Sequence, residues 1–190
     1  MTARHAERLG FAAPVGSSRR LSQRISEGDG IAIIVRVDDA DSARAAEEQG
    51  AKAVAVERAI AGLRESSSLP VLWLAGGAVV DADAVAIRPS DIDAADAETV
   101  MEVHDEEELG EALETHDPEI FLISPRDGNE DPLELALELL PDVPAGKLAI
   151  ADVDVGDRDE VLKLERAGFD AVLVAPGHVG PLVGHTPPDV

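Results

Sequence analysis

The chain has 190 residues, enough for one domain with a real core but short of the roughly 250 typical of an eight-fold β/α barrel. It contains no cysteine, which excludes disulfides, thiolate metal sites and a cysteine nucleophile. Thirty-nine acidic residues against sixteen basic ones give a formal charge of −23, and without clustered Lys/Arg we expect no nucleic-acid partner. The sequence shows neither a membrane span nor a secretory leader, so we expect a cytoplasmic protein with no membrane partner.

The acidity of the chain has two explanations. Lysine occurs only at Lys52, Lys147 and Lys163, and every other basic residue apart from histidine is arginine. An acidic surface with few lysines suits a saline cytoplasm, where salt screens repulsion between carboxylates. A GC-rich genome, whose codons favour Ala, Arg, Asp, Gly and Val, produces the same composition. The sequence leaves both open.

The first half of the chain alternates short apolar runs with helical patterns. In chain order the sequence predicts a helix over 17–27, a strand over 31–37, a helix over 41–49, a strand over 53–56, a helix over 59–64, and strands over 70–74 and 84–87. Residues 75–80 and 92–97 leave room for no more than a turn or two of helix. The helical cover on this side is therefore expected to be thin.

The second half is more regular. Four runs, each apolar along most of its length, are typical of parallel strands buried on both faces: 98–103, 120–124, 148–151 and 171–175. Helices are predicted over 105–114 and 157–168, each beginning with the preferred N-cap Asp, and another helix lies between the second and third runs. Gly168 is a typical helix end, and the segment after Pro176 is too rich in Gly and Pro for a full helix.

Eight strands alternating with helices predict a compact (β/α)8 TIM barrel with several helices shortened or missing. We place the barrel at 17–180, an N-terminal arm at 1–16 and a C-terminal tail at 181–190. An open doubly wound sheet is the alternative. Dinucleotide-binding and P-loop sequences are absent after every predicted strand.

Two further expectations follow from this fold. Aliphatic layers should fill the interior of the barrel, among them Ile33, Val35, Leu72 and Leu74. Thin helical cover should leave apolar strand surface near residues 79–80 and the C-terminus, and hence weak self-association.

Five segments resemble those of a known enzyme family. Residues 100–109, 123–127, 157–161, 168–174 and 31–36 are similar to the fifth strand and its helix, the sixth strand, the seventh helix, the eighth strand and the first strand of indole-3-glycerol phosphate synthase. That family comprises (β/α)8 enzymes of tryptophan synthesis. Its lyase chemistry closes an indole ring on a carboxylated sugar-phosphate adduct, with loss of carbon dioxide and water. The resemblance therefore implies a lysine acid, carboxylates as proton acceptors and a phosphate clamp at the last two strands.

The resemblance also shows where this chain departs from the family. The Glu and Lys of the family's first strand fall on Ile33 and Val35, and the lysine of its third strand falls on Leu74 or Ala75. Glu102 alone is unchanged among the acid/base positions. The chain is thus interpreted as a shortened, degenerate member of the family that lacks the lyase activity.

Glu102 is the candidate catalytic residue. A carboxylate within a barrel strand can acquire a raised pKa and serve as general acid or base. The alternative is a leftover carboxylate satisfied by Arg36 or Arg88.

The candidate substrate-binding residues, for a small phosphorylated ligand, are Ser124, Arg126, Asp152 and Gly177. Ser124 falls on the asparagine of the family's sixth strand, and residues 152–155 fall on the Glu-Ser-Gly-Ile of its seventh strand. The carboxylates of Asp152 and Asp154 would oppose a phosphate. With Glu102 they offer oxygen ligands to Mg²⁺, but chance proximity is the simpler reading in so acidic a chain, and we predict no metal and no cofactor. Residues 177–180 either hold a phosphate through backbone N–H groups or form a simple turn.

Two classes of function remain open at this point. The first is an active or remnant enzyme, a carbon-carbon lyase acting on a small phosphorylated metabolite through Glu102. The second is a non-catalytic binding or scaffold protein that keeps the barrel.

Overall fold

The computed structural model describes residues 21–74, 81–91, 97–126, 131–177 and 179–182. The predicted arm, residues 75–80, nearly all of 92–97 and the tail after Leu182 lie outside the described residues, as do the expectations attached to them. The domain boundaries and the apolar surface near 79–80 therefore stay predictions.

Eight parallel strands close into a barrel in which each strand pairs with the next and β8 pairs with β1. The predicted TIM barrel is confirmed, and the open sheet is not formed. The strands are β1 (Ala32–Arg36), β2 (Ala53–Val56), β3 (Val71–Trp73), β4 (Ala84–Ile87), β5 (Glu98–Val103), β6 (Ile120–Ile123), β7 (Leu148–Asp152) and β8 (Ala171–Val174).

Helices of unequal length surround the barrel. They are α1 (Leu21–Ser26), α2 (Ala40–Glu48), α3 (Leu63–Ser66), α4 (Glu106–Thr115), α5 (Pro132–Leu139) with a 3-10 turn at Leu140–Asp142, α6 (Arg158–Ala167) and α7 (Val179–Leu182). The helices α3 and α7 have four residues each, so shortened helices are present as predicted. Within the described residues, no helix has the length and apolar character needed to cross a lipid bilayer.

Aspartate caps start the longer helices. The carboxylates of Asp39, Asp105 and Asp157 accept hydrogen bonds from the backbone N–H three residues ahead, at 2.7, 3.0 and 3.0 Å. Each satisfies one of the N–H groups that the first helical turn leaves unpaired. The helix α6 ends at Gly168, whose φ of +113° is the left-handed conformation that favours glycine. These caps explain why the helix limits were readable from the sequence.

The helix α3 departs from its predicted position. A helix was expected over 59–64, but α3 begins only at Leu63. Gly62 precedes it with a φ of +76°, which breaks a right-handed helix and is accessible to glycine at little cost. Residues 59–62 therefore lie outside the helix, and α3 is a single helical turn.

Side chains alternate between the barrel interior and the helix layer. The interior is filled by Ala32, Ile34, Ala53, Ala55, Leu72, Ala84, Ala86, Val100, Ile120, Leu122, Ile150, Ala171 and Leu173. Leu72 lies there as predicted, and Leu74 packs against this cluster. The prediction was wrong for Ile33 and Val35, which belong to the outer cluster shared with the helices. Because side chains on a strand alternate with period two, Ile34 and Arg36 take the inward positions instead.

Helix α1 closes the N-terminal end of the barrel. Leu21 and Ile25 join the interior cluster and are buried. The backbone N–H of Ser22 donates to Oε2 of Glu98, at the start of β5, over 3.1 Å, and the Ser22 hydroxyl donates to the other carboxylate oxygen. With that end closed and the interior packed, polar chemistry is left to the opposite face, where the strands end.

Candidate functional site

A ring of polar side chains surrounds the C-terminal mouth of the barrel. Each member lies two residues after the last inward-facing apolar residue of its strand, on the same side. These residues therefore form the layer above the apolar interior. From β1, β2 and β4 to β7 the ring contains Arg36, Glu57, Arg88, Glu102, Ser124 and Asp152. Leu74, after β3, is an apolar member of the same layer.

Arg36, Asp152 and Ser124 form the best-bonded part of the ring. Nη2 of Arg36 donates to both oxygens of Asp152, at 3.0 and 2.8 Å. The Ser124 hydroxyl donates to Oδ2 of Asp152 over 2.9 Å. The Asp152 side chain is only 12% exposed, so these charge-assisted bonds stabilise a carboxylate that is largely removed from water. Two of the predicted binding residues, Ser124 and Asp152, are thereby brought into direct contact.

The position of Arg36 changes the comparison with the family's first strand. That comparison placed the family's charged residues on Ile33 and Val35, both of which face the helices. The inward positions are Ile34 and Arg36. A cation is therefore present at the mouth end of β1, but it is an arginine and its charge is balanced by Asp152. The negative charge that Asp152 was expected to bring to the mouth is balanced by the same pair.

Glu57 is a member of the ring that the sequence analysis missed. Its Oε1 lies 3.6 Å from Nε of Arg36, which is beyond hydrogen-bonding distance, and this Nε is buried without a hydrogen-bond partner. The alternation of inward-facing residues along β2 could have identified Glu57 from the sequence. Ala53 and Ala55 face the interior, so the next residue of the same parity after β2 had to reach the mouth.

Glu102, the candidate catalytic residue, is near two basic side chains. Its Oε2 is 3.7 Å from Nε of Arg88, and its Oε1 is 3.9 Å from Nε2 of His104. Of the two arginines expected to satisfy it, Arg88 is within ion-pair range but beyond hydrogen-bonding distance, and Arg36 is bonded to Asp152. The other ring nitrogen of His104 contacts the backbone oxygen of Ser124. This contact links the Glu102 side of the mouth to the residue that bonds Asp152.

Arg126 pairs with two carboxylates at the start of α4. Its Nη2 is 2.6 Å from Oε1 of Glu108 and 3.3 Å from Oδ2 of Asp105, both at the start of α4. The predicted binding residues Ser124 and Arg126 are neighbours in sequence, but Ser124 bonds across to β7 and Arg126 bonds back to α4.

Gly177 occupies an exposed turn between β8 and α7, with a φ of +88°. A Cβ built on it would meet no atom within 4 Å, so nothing in its surroundings demands the absence of a side chain. The Mg²⁺ alternative concerned Glu102, Asp152 and Asp154. Among the described residues, no three His, Asp or Glu side chains are grouped closely enough to hold a metal ion.

All three lysines of the chain lie away from the mouth. Lys52 immediately precedes β2 and Lys147 immediately precedes β7, at the closed end of the barrel. Lys147 is paired there with Asp117, Nζ to Oδ1 2.8 Å. Lys163 is an exposed residue of α6. No lysine ammonium therefore stands at the face where the strand ends converge.

Comparison with known proteins supports the resemblance over part of the chain. Indole-3-glycerol phosphate synthase of Campylobacter fetus is 34% identical over 79 residues, which is 40% of this chain and 30% of that enzyme. The Chlorobaculum tepidum enzyme is 36% identical over 80 residues, 41% of this chain and 31% of that enzyme. The match thus spans less than a third of these relatives, and no family model matches the chain.

The fold has a solved counterpart with another activity. The N-acetylmannosamine-6-phosphate 2-epimerase of Clostridium perfringens superposes with a TM-score of 0.62 over 79% of this chain and 88% of that protein, at 16% identity. At so low a sequence identity, the similarity shows a shared fold and says nothing about activity. The chain is an indole-3-glycerol phosphate synthase-like (β/α)8 barrel whose sequence similarity to that enzyme extends over about two fifths of its length.

Proposed function

We propose that this barrel lacks the lyase activity of indole-3-glycerol phosphate synthase. The observation that carries the proposal is the placement of the three lysines, none of which lies at the C-terminal mouth. The resemblance implies a lysine acid there, and the loss of one general acid typically slows a reaction by about 10²- to 10⁴-fold.

Arginine does not replace the missing acid. Arg36 stands at the inward end of β1, but a guanidinium stays protonated throughout the accessible pH range and is a poor proton donor. Its Nη2 is already bonded to both oxygens of Asp152. At the mouth end of β3, Leu74 offers no proton at all.

The retained carboxylates are also engaged. Glu102 has Arg88 and His104 beside it, and Asp152 has Arg36 and Ser124. A phosphorylated substrate would compete with these carboxylates for the same arginines. Because the charged groups of the mouth are paired with one another, they are not available to stabilise the charges of a reacting adduct. This pairing supports the proposed lack of activity.

Complementation tests the proposal in cells. Expression of this chain in a bacterial strain that lacks indole-3-glycerol phosphate synthase should not restore growth without tryptophan, whereas the Campylobacter fetus enzyme, expressed in parallel, should. Growth that depends on this chain and is abolished by Glu102→Gln would contradict the proposal and assign the activity to a reduced site.

A second candidate function, binding of a small phosphorylated ligand without turnover, rests on the exposure of the mouth arginines. The side chains of Arg36, Arg88 and Arg126 are 37%, 58% and 61% exposed, so an anion can reach all three. A ligand that binds the native state raises its stability. Phosphorylated sugars should then raise the melting temperature of the wild type and not that of Arg36→Gln; no shift with any of them would leave the barrel as a scaffold.

A further inference from the structure

The twenty residues that precede α1 are basic in a strongly acidic chain. Residues 1–20 contain Arg4, Arg8, Arg19 and Arg20 against the single acid Glu7, a net charge of +3, whereas the whole chain carries −23. The rest of the chain therefore carries −26. A basic segment is attracted to so acidic a domain, and because it is covalently attached, its effective concentration is on the order of millimolar.

A groove on the outside of the barrel, beside α5, has a half-covered apolar lining. It has a volume of about 680 Å³, and its lining includes Leu137, Leu140 and Val143, all three of which are half-buried. The sequence from α5 into the 3-10 turn contains five leucines, and Leu139 is the only one of them that is fully buried. An apolar surface that the domain itself covers only in part is typical of a docking site.

The charges around the groove favour a basic occupant. Residues 131–149 and 166–170, which form its walls, contain five acidic residues and two basic ones. Of the acidic residues, Glu138 and Asp142 are exposed. Of the basic ones, Arg166 is exposed and Lys147 is paired with Asp117, Nζ to Oδ1 2.8 Å. The groove therefore suits a segment that is both apolar and basic.

The groove begins close to the point where residues 1–20 join the barrel. Ser22, in the first turn of α1, lines a cavity together with residues 145–147, and residues 145–147 also line the groove. Phe11 is ten residues before Leu21, a span of at most about 35 Å of extended chain. The segment is thus long enough to enter the groove.

We propose that residues 1–20 dock in this groove, with Phe11 and Val15 against its leucines and the arginines towards the acidic walls. A second copy of the chain is a poorer occupant, since two molecules that each carry −23 repel one another. The segment belongs to the same molecule and brings the opposite charge. The proposal is independent of the proposed function, because the groove shares no residue with the ring at the mouth.

The absence of cysteine makes an introduced disulfide a specific reporter of this contact. Ala12→Cys/Ala145→Cys places one thiol next to Phe11 and the other in the groove, at an exposed position. The control is Ala12→Cys/Asp29→Cys, whose second thiol is also exposed and lies in the turn that follows α1. In a glutathione redox buffer, the effective concentration of the first pair should exceed that of the control by at least about 10-fold.

Two sets of substitutions separate the apolar contact from the charge. Phe11→Ser and Arg8→Glu/Arg19→Glu all precede α1, so the packing of the barrel is unchanged, and each should lower the ratio between the two pairs. Molar KCl should lower it further in the wild-type background, because salt screens the attraction. A ratio that Phe11→Ser leaves unchanged would overturn the apolar contact.

Equal effective concentrations for the two cysteine pairs would overturn docking in the groove. Disulfide-linked dimers at micromolar protein would also overturn it, by assigning the groove to the segment of a second copy. Hydrogen exchange on the cysteine-free wild type gives an independent measurement. The amides of residues 9–15 should exchange more slowly than in the free peptide of residues 1–20, and equal rates would contradict the proposal.

Discussion

Arg36 on β1 and Asp152 on β7 are joined by two hydrogen bonds from one guanidinium nitrogen, at 3.0 and 2.8 Å. The two strands are not neighbours, because β8 lies between them. The pair therefore bridges the end of β8 instead of linking adjacent strand ends. It balances one positive and one negative charge in the layer where barrels of this fold keep their active sites.

Removing Arg36 should destabilise the protein because it leaves the Asp152 carboxylate without its cation. In Arg36→Met the Asp152 carboxylate, 12% exposed, keeps only the bond from Ser124. We expect a loss of about 1–3 kcal/mol in the free energy of unfolding, measured by urea denaturation. Arg58→Met is the control, since its ion pair with Asp38 is exposed and should contribute less than about 1 kcal/mol.

The double variant Arg36→Met/Asp152→Leu should recover most of that loss. Replacing both partners of an ion pair by apolar residues removes the unpaired charge, and such exchanges are often neutral or stabilising. If Arg36→Met costs no more than Arg58→Met, the pair does not contribute to the stability of the mouth.

The sequence predicted the barrel well because its signals are local. Apolar runs, aspartate caps and Gly168 each specify the backbone near them, and the limits of α4 and α6 were read to within a residue. Which residues of a strand face the interior is not specified by such local signals. Ile33, Ile34 and Val35 are all apolar and all buried, so no alternation marked which of them face the helices. The register of Arg36 had to come from the structure.

The sequence indicated the position of three mouth residues but not the contacts between them. Glu102, Ser124 and Asp152 were singled out by the family resemblance, and the structure places all three at the mouth. Their partners depend on contacts across strands far apart in sequence, such as the bond between Ser124 and Asp152. Glu57 was missed because it follows β2 in a segment without resemblance to the family.

Helix α1 should contribute strongly to stability as the closure of the barrel. Leu21 is fully buried in the interior cluster, so Leu21→Ala removes buried methyl groups and leaves a cavity. We expect a loss of about 2–5 kcal/mol in the free energy of unfolding. The exposed Gln23, on the same helix, provides the control: Gln23→Ala should change stability by less than about 0.5 kcal/mol. Equal effects would mean that α1 is not docked.

The cap of α2 should make stability depend on pH. Hydrogen bonds from the backbone N–H and hydroxyl of Ser42 hold the pKa of Asp39 below its ordinary value. A carboxylate whose pKa is depressed by folding stabilises the native state above its unfolded pKa, and that contribution is lost as the pH falls through the folded value. Asp39→Ala should therefore lower the melting temperature at neutral pH, and the difference from wild type should narrow below about pH 4.

Asp39→Asn is the matched control for the cap. Asparagine caps helices about as well as aspartate but does not titrate, so this variant should stay close to wild type at neutral pH. A difference between Asp39→Ala and wild type that is the same at all pH values would show that the charge of Asp39 is irrelevant.

Salt should stabilise the protein. The formal charge is −23, and the first turn of α4 carries Glu106, Glu107 and Glu108 in succession. Raising the salt from about 0.1 to 1 M shortens the screening length from about 10 to 3 Å, so the melting temperature should climb with KCl. Neutralising part of the surface, as in Glu107→Gln/Glu111→Gln, should reduce the slope. A melting temperature independent of salt would favour the codon-bias explanation of the acidity.

The most direct test of the proposed loss of activity is an indole-forming assay on purified protein. The carboxyphenylamino-deoxyribulose phosphate substrate of the family should be supplied at low and at molar salt, with the Chlorobaculum tepidum enzyme as the positive control. We predict no indole-3-glycerol phosphate above background at either salt concentration, since none of the three lysines lies at the mouth to serve as the acid that the resemblance implies. Turnover by the wild type that Glu102→Gln abolishes would contradict this and show that the mouth remains an active site.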